Sequence, residues 1–94
     1  MGNIDWETIS KKVEKQVLKK LKKDLVDWEQ DLEMKSMFLR DAADGLDVAN
    51  ILKTGNWLLV EKRLWEMDTA AREYVYEYIE TSGGKKLKNF LQKV

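Results

Sequence analysis

The chain has 94 residues, with 17 Lys+Arg balanced by 17 Asp+Glu, and it holds no histidine, cysteine or proline. Without cysteine there are no disulfides, thiolate metal sites or thiol nucleophiles, and without histidine the commonest metal ligand and general base is missing. Most familiar catalytic constellations are thereby excluded, and the expectation is a protein that is not an enzyme and carries no cofactor or metal. A chain this short forms one domain, and no apolar run approaches the roughly 20 residues that span a bilayer. The segment from Met1 to Ser10 also lacks the apolar core of a signal peptide, so a soluble, cytoplasmic protein with no membrane partner is expected.

Taken in chain order, the first element is a long helix over residues 4–43. Neither Gly nor Pro interrupts the stretch from Asn3 to Asp44, and Trp6, Ile9, Val13, Val17, Leu21, Leu25, Trp28 and Leu32 recur three or four apart. Asn3 or Asp5 is placed to cap its start, and Gly45 stands where a helix-ending residue is expected. The spacing of this stripe averages close to the straight-helix period, which favours globular packing. Leu18, Leu21, Leu25, Trp28 and Leu32 nonetheless alternate by three and four, as a coiled-coil seam does.

Length adds a second constraint. An unbroken helix of that extent spans about 60 Å, whereas a compact chain of this size has a radius of gyration near 12 Å. Either the helix breaks near Glu33 to Ser36, where the apolar phase moves onto Met34, Met37 and Phe38, or a second chain covers the overhang. The second solution is the preferred one, with Leu18, Leu21, Leu25, Trp28 and Leu32 as the oligomer interface.

A short helix over residues 47–54 follows, built on the apolar stretch Leu46, Val48, Ala49, Ile51 and Leu52 and capped by Asp47. A third spans 56–80, capped by Asn56, with its seam on Trp57, Val60, Leu64, Met67, Ala71, Tyr74 and Tyr78 and a kink and restart possible at Asp68-Thr69. A second apolar line, Leu58, Trp65, Tyr76 and Ile79, marks this helix as central or interfacial. Thr81 to Gly84 ends it, and residues 85–93 form a last amphipathic piece with Leu87, Phe90, Leu91 and Val94 inward.

The strongest local feature is a block of seven lysines (Lys11, Lys12, Lys15, Lys19, Lys20, Lys22, Lys23) followed by five acids (Asp24, Asp27, Glu29, Asp31, Glu33). Within one helix this order opposes the macrodipole and uses the poorer arrangement of i,i+4 pairs. Helix stability therefore did not select it. Two uses remain: attraction of a phosphate backbone, or charge-matched pairing with another helix, beside the plain role of a solvated face. Lys85 and Lys86 extend the candidate nucleic-acid contacts of Lys11, Lys12, Lys15, Lys19, Lys22 and Lys23, although lysine reads bases poorly compared with arginine.

Other constellations are weak. Val48 to Trp57 resembles a helix-turn-helix in outline, but Ala49 precedes Gly55 by six residues where a typical motif has four, and Trp57-Leu58-Leu59-Val60 is too apolar for a recognition helix. Ser82-Gly83-Gly84-Lys85-Lys86 lacks P-loop spacing. Carboxylate pairs such as Asp24 with Asp27 or Glu73 with Glu77 follow no known ligand pattern. The sequence thus reads as an all-α protein, a small bundle of three to four helices completed by dimerisation. Its expected role is a non-enzymatic interaction module, a small accessory protein that regulates, adapts or inhibits an unidentified protein partner. The alternative is a nucleic-acid-associated protein that uses its lysine faces.

Overall fold

A computed structural model describes residues 4–93. Five helices follow in order: α1 (Trp6–Asp27), α2 (Leu32–Leu52), α3 (Trp57–Trp65), α4 (Thr69–Ser82) and α5 (Gly84–Gln92), with no strand among the described residues. The molecule is elongated, 50 × 22 × 19 Å, with a radius of gyration of 13.7 Å. No helix of the described residues is long and apolar enough to cross a membrane. Asn3 and Val94, placed above at a helix start and an inward position, lie outside the described residues.

The first long helix is a correction to the sequence expectation. Residues 4–43 do not form one rod: α1 stops at Asp27, and α2 folds back beside it as an antiparallel hairpin. The Trp28 N–H closes α1 on the Asp24 carbonyl, and Asp31 then caps α2 by accepting from the Met34 N–H at 3.0 Å. The turn falls a few residues before the Glu33 to Ser36 break that length alone suggests. It resolves much of the charge anomaly, because Asp31 and Glu33 now sit at a helix N-terminus, where negative charge is favourable. At the start of α1 the Asp5 carboxylate accepts from the Thr8 N–H and hydroxyl, and these bonds hold its pKa below the ordinary value.

Gly45 does not end a helix. It lies buried in the middle of α2, which absorbs the helix expected over 47–54. A Cβ there would stand 3.1 and 3.2 Å from the Val17 methyls, so the bare backbone lets α1 and α2 approach closely. Ala42, Val48, Ala49 and Leu52 line the same junction, and the Ser10 hydroxyl donates to the Ala49 carbonyl across it. This packing outweighs the roughly 1 kcal/mol that a mid-helix glycine costs relative to alanine.

The helix expected over 56–80 is two helices, broken at Glu66–Asp68, and the break shifts the buried phase by one position. Trp57, Val60, Leu64, Met67 and Ala71 are buried as expected, but Val75 and Ile79 continue the core in place of Tyr74 and Tyr78. Tyr74 is exposed, Tyr78 is half-buried, and Ile79 belongs to the core and not to the outer line with Leu58 and Trp65. Asp68 heads α4 in an extended conformation, and its carbonyl takes the Arg72 N–H at 2.8 Å. Arg63 fastens α3 to α2, with its guanidinium 2.6 Å from Asp44 and 3.5 Å from Asp47. Burial alone would lower the Arg63 pKa; its bonds to these carboxylates more than reverse that.

The last helix folds back across a single residue, Gly83. A Cβ at Gly83 would lie 2.2 Å from that of Leu87, a separation no side chain can accept. Leu87 is fully buried, and Phe90 packs edge-on against Trp6 and Trp57 at the end of the molecule remote from the α1–α2 turn.

Candidate interaction surface

The interior faces of α1 are spoken for. Ile9, Val13 and Val17 enter the core, and Leu21 packs against it beside Ala42. On the α4 side, the Lys20 ammonium bonds Asp24 at 3.2 Å and lies 4.6 Å from the centre of the Tyr74 ring. Burial pulls the Lys20 pKa down, but the bond and charge of Asp24 outweigh it and leave the group above its ordinary value. Lys20 therefore serves the fold. Asp41, in the same cleft, has no such partner among the described residues: burial pushes its carboxyl up, Arg40 opposes this, and Asp68, Asp44 and Asp24 add to the rise.

The five residues expected to make one continuous seam are divided by the turn. Leu21 faces its own core and Leu25 is half-buried. Trp28, 41% exposed, leans on Phe38 with ring centres 6.2 Å apart. Leu32 belongs to α2 and is 78% exposed at the tip of the hairpin, while Leu18 remains 45% exposed on α1.

A signal that the sequence carried, and that the seam obscured, is a repeat of seven: Leu18, Leu25, Leu32, Leu39 and Leu46. On one straight helix this repeat would drift slowly around the surface. Once the chain turns back at Trp28–Asp31, helical geometry brings both halves to the same flank of the hairpin. Ser10, Val17 and Leu21 fix the side of α1 that faces α2, and Ala42, Gly45 and Ala49 fix the side of α2 that faces α1. At 100° per residue, Leu18 and Leu25 then project on the side away from α4, as do Leu32, Leu39, Ala43 and Leu46. The groove lined by Glu14, Leu46, Asn50 and Lys53 continues this flank toward the base. Leu39 is half exposed, Ala43 is exposed, and Leu46 is half-buried.

Lys11, Lys12, Lys15, Lys19, Lys22 and Lys23 are all exposed and occupy one sector of α1, about 120° wide at helical spacing. Only Lys11 of these makes an ion pair among the described residues, with Glu7 at 3.7 Å. Lys85 and Lys86 are exposed in the first turn of α5, and the bond from Gln16 Nε2 to Ser82 Oγ holds the preceding α4–α5 junction against the middle of α1. The acids that followed the lysines now gather at the far end: Asp27, Glu29, Asp31 and Glu33 are exposed around the turn. The hairpin is therefore basic along its shaft and acidic at its tip.

A second groove, between α3, α4 and α5, is lined by Trp57, Glu61, Trp65, Arg72, Tyr76 and Leu91. The Arg72 guanidinium lies over the Trp65 ring at 4.2 Å, and burial, with Glu80 and Glu61, pushes the Tyr76 hydroxyl pKa up. Among the described residues no group of three or more acidic side chains is close enough to hold a metal ion. Comparison with protein-family models, with curated proteins and with solved structures finds no match to this chain.

Proposed function

We propose that this protein is a non-enzymatic protein-interaction module that works as a homo-oligomer and binds through the α1–α2 hairpin. The observation that carries this reading is the exposed apolar surface that starts with Val26, Trp28 and Leu32 around the turn and continues along one flank of α2 through Leu39. Contiguous apolar surface of this kind marks an association site, whereas single exposed leucines do not. Each such side chain contributes on the order of 1.5 to 3 kcal/mol when fully covered, against well under about 1 kcal/mol for an exposed ion pair. The apolar residues would therefore supply the affinity and the charges the orientation.

Light scattering over a concentration series tests this directly. The expected result is a mass twice that of the 11.1 kDa chain, reverting to one copy in Leu32→Asp or Leu39→Asp with the helical circular-dichroism signal retained. A protein that stays monomeric at several hundred micromolar overturns the reading.

One observation favours a second reading. Five of the six lysines along the outer sector of α1 make no ion pair among the described residues, as a surface that attracts phosphate backbones requires. Polyanion binding that falls steeply with salt, varies little with sequence and is lost in Lys15→Glu/Lys19→Glu/Lys22→Glu would support it. Binding that is insensitive to salt would exclude it.

A further inference from the structure

We infer that the partner on this surface is a second copy of the chain, docked antiparallel so that the two hairpins stack face to face as a four-helix bundle whose two-fold axis passes beside Leu39. The inference rests on the interaction reading above and specifies its geometry. Two observations carry it independently: the seven-residue leucine repeat and the polarity of charge along the hairpin.

The repeat sets the register. Leu39 lies seven residues from both Leu32 and Leu46 on the same flank of α2. A two-fold axis perpendicular to α2 at Leu39 therefore sets Leu39 against the partner copy's Leu39 and Leu32 against its Leu46, and covers Ala43 between them. This closes the exposed row with like-sized apolar side chains, as a self-complementary interface demands. Because α1 runs antiparallel to α2, with Val17 beside Gly45 and Asp24 sharing a cleft with Phe38 and Asp41, the same axis crosses α1 near Lys23.

Charge then selects the direction. Rotation about an axis near Lys23 sets Lys15 and Lys19 at the level of the other copy's turn, where Glu29 and Asp31 are exposed, so each acidic tip lies on the lysine shaft of the other molecule. A parallel arrangement would stack the two tips, with Asp27, Glu29, Asp31 and Glu33 facing their own equivalents. Electrostatic complementarity of this type fixes orientation and suppresses the wrong docking. It also accounts for a chain that is neutral overall and yet so unevenly charged along one hairpin.

The absence of native cysteine makes the geometry directly readable. Under mild oxidation Leu39→Cys is expected to cross-link to itself. Leu32→Cys and Leu46→Cys should each remain uncross-linked alone and form the mixed disulfide when combined, consistent with the Cα separations that a disulfide permits. In parallel, Lys15→Glu/Lys19→Glu should raise the dimer dissociation constant about tenfold at low salt, and adding Glu29→Lys should recover most of it. Asp24 is left unchanged because it pairs with Lys20 within the fold. A dimer that cross-links through Gln30→Cys at the tips, or not through Leu39→Cys, overturns this geometry while sparing the interaction reading. A monomer overturns both.

Discussion

At the base of the hairpin Trp6 stacks on Trp57 with ring centres 6.2 Å apart and receives the edge of Phe90 at 5.3 Å. At the tip Trp28 meets Phe38 alone, again at 6.2 Å, with solvent on its other side. The two ends use the same residue types to opposite effect. Three helices converge at the base, because α5 folds back through Gly83 and seals it, whereas the tip extends from two helices only. Aromatic content does not identify a core; the number of elements that arrive to cover it does. The tip thus retains apolar surface that the fold has not used.

Stability measurements can break this comparison. The largest effect is expected from Leu52→Ala, which empties a fully buried site and should cost about 2–5 kcal/mol, while Leu32→Ala should cost less than about 0.5 kcal/mol in the monomer. Equal losses, read from urea midpoints at low protein concentration, would show that the tip is as well packed as the base. Next in size, Gly83→Ala drives a methyl into Leu87 and should destabilise by about 1–3 kcal/mol, unfastening α5. The change should appear as a loss of near-ultraviolet signal from the Trp6–Trp57–Phe90 cluster, with Trp28 unaffected.

Smaller effects sharpen the picture. Asp31→Ala removes the cap that starts α2 and should cost about 1 kcal/mol; if α1 and α2 instead merged into one longer helix, the helical content would rise. Asp41→Asn should shift the melting temperature least and in the unusual direction. Its folded pKa lies above the unfolded value, so the folded state binds the proton more tightly, and ionisation opposes folding as pH rises through that window. The variant is therefore slightly more stable than the parent at pH 7, and the advantage disappears once the pH falls below the ordinary carboxylate range. A variant less stable at pH 7 would contradict this sign.

Helical class, the caps at Asp5 and Asn56, and the buried stripe Ile9, Val13, Val17 were legible because capping and periodicity act over one or two turns. The Asn56 side chain accepts from the Leu59 N–H as its position implies. What misled was punctuation. Gly45 reads as a stop and lies mid-helix, whereas Trp28 to Gln30 hold no breaker and form the turn. The leucine repeat of the candidate surface was present in the letters, but its last member, Leu46, fell beyond the glycine taken as a boundary. Its partners on α2 became visible only with the hairpin closed.

The sequence by itself determined that this chain is helical, which faces of its short stretches are apolar, and that charge is segregated into a lysine block and an acidic one. Those properties follow from side-chain spacing and chemistry within a few turns. Tertiary structure alone decided where the long apolar run folds back, that Gly45 serves close packing against Val17, and that Val75 and Ile79, and not Tyr74, continue the core after Asp68. Each of these depends on which distant residue arrives opposite. The energy that selects them, a few buried methyl groups against the small cost of interrupting a helix, is set between helices and not along them.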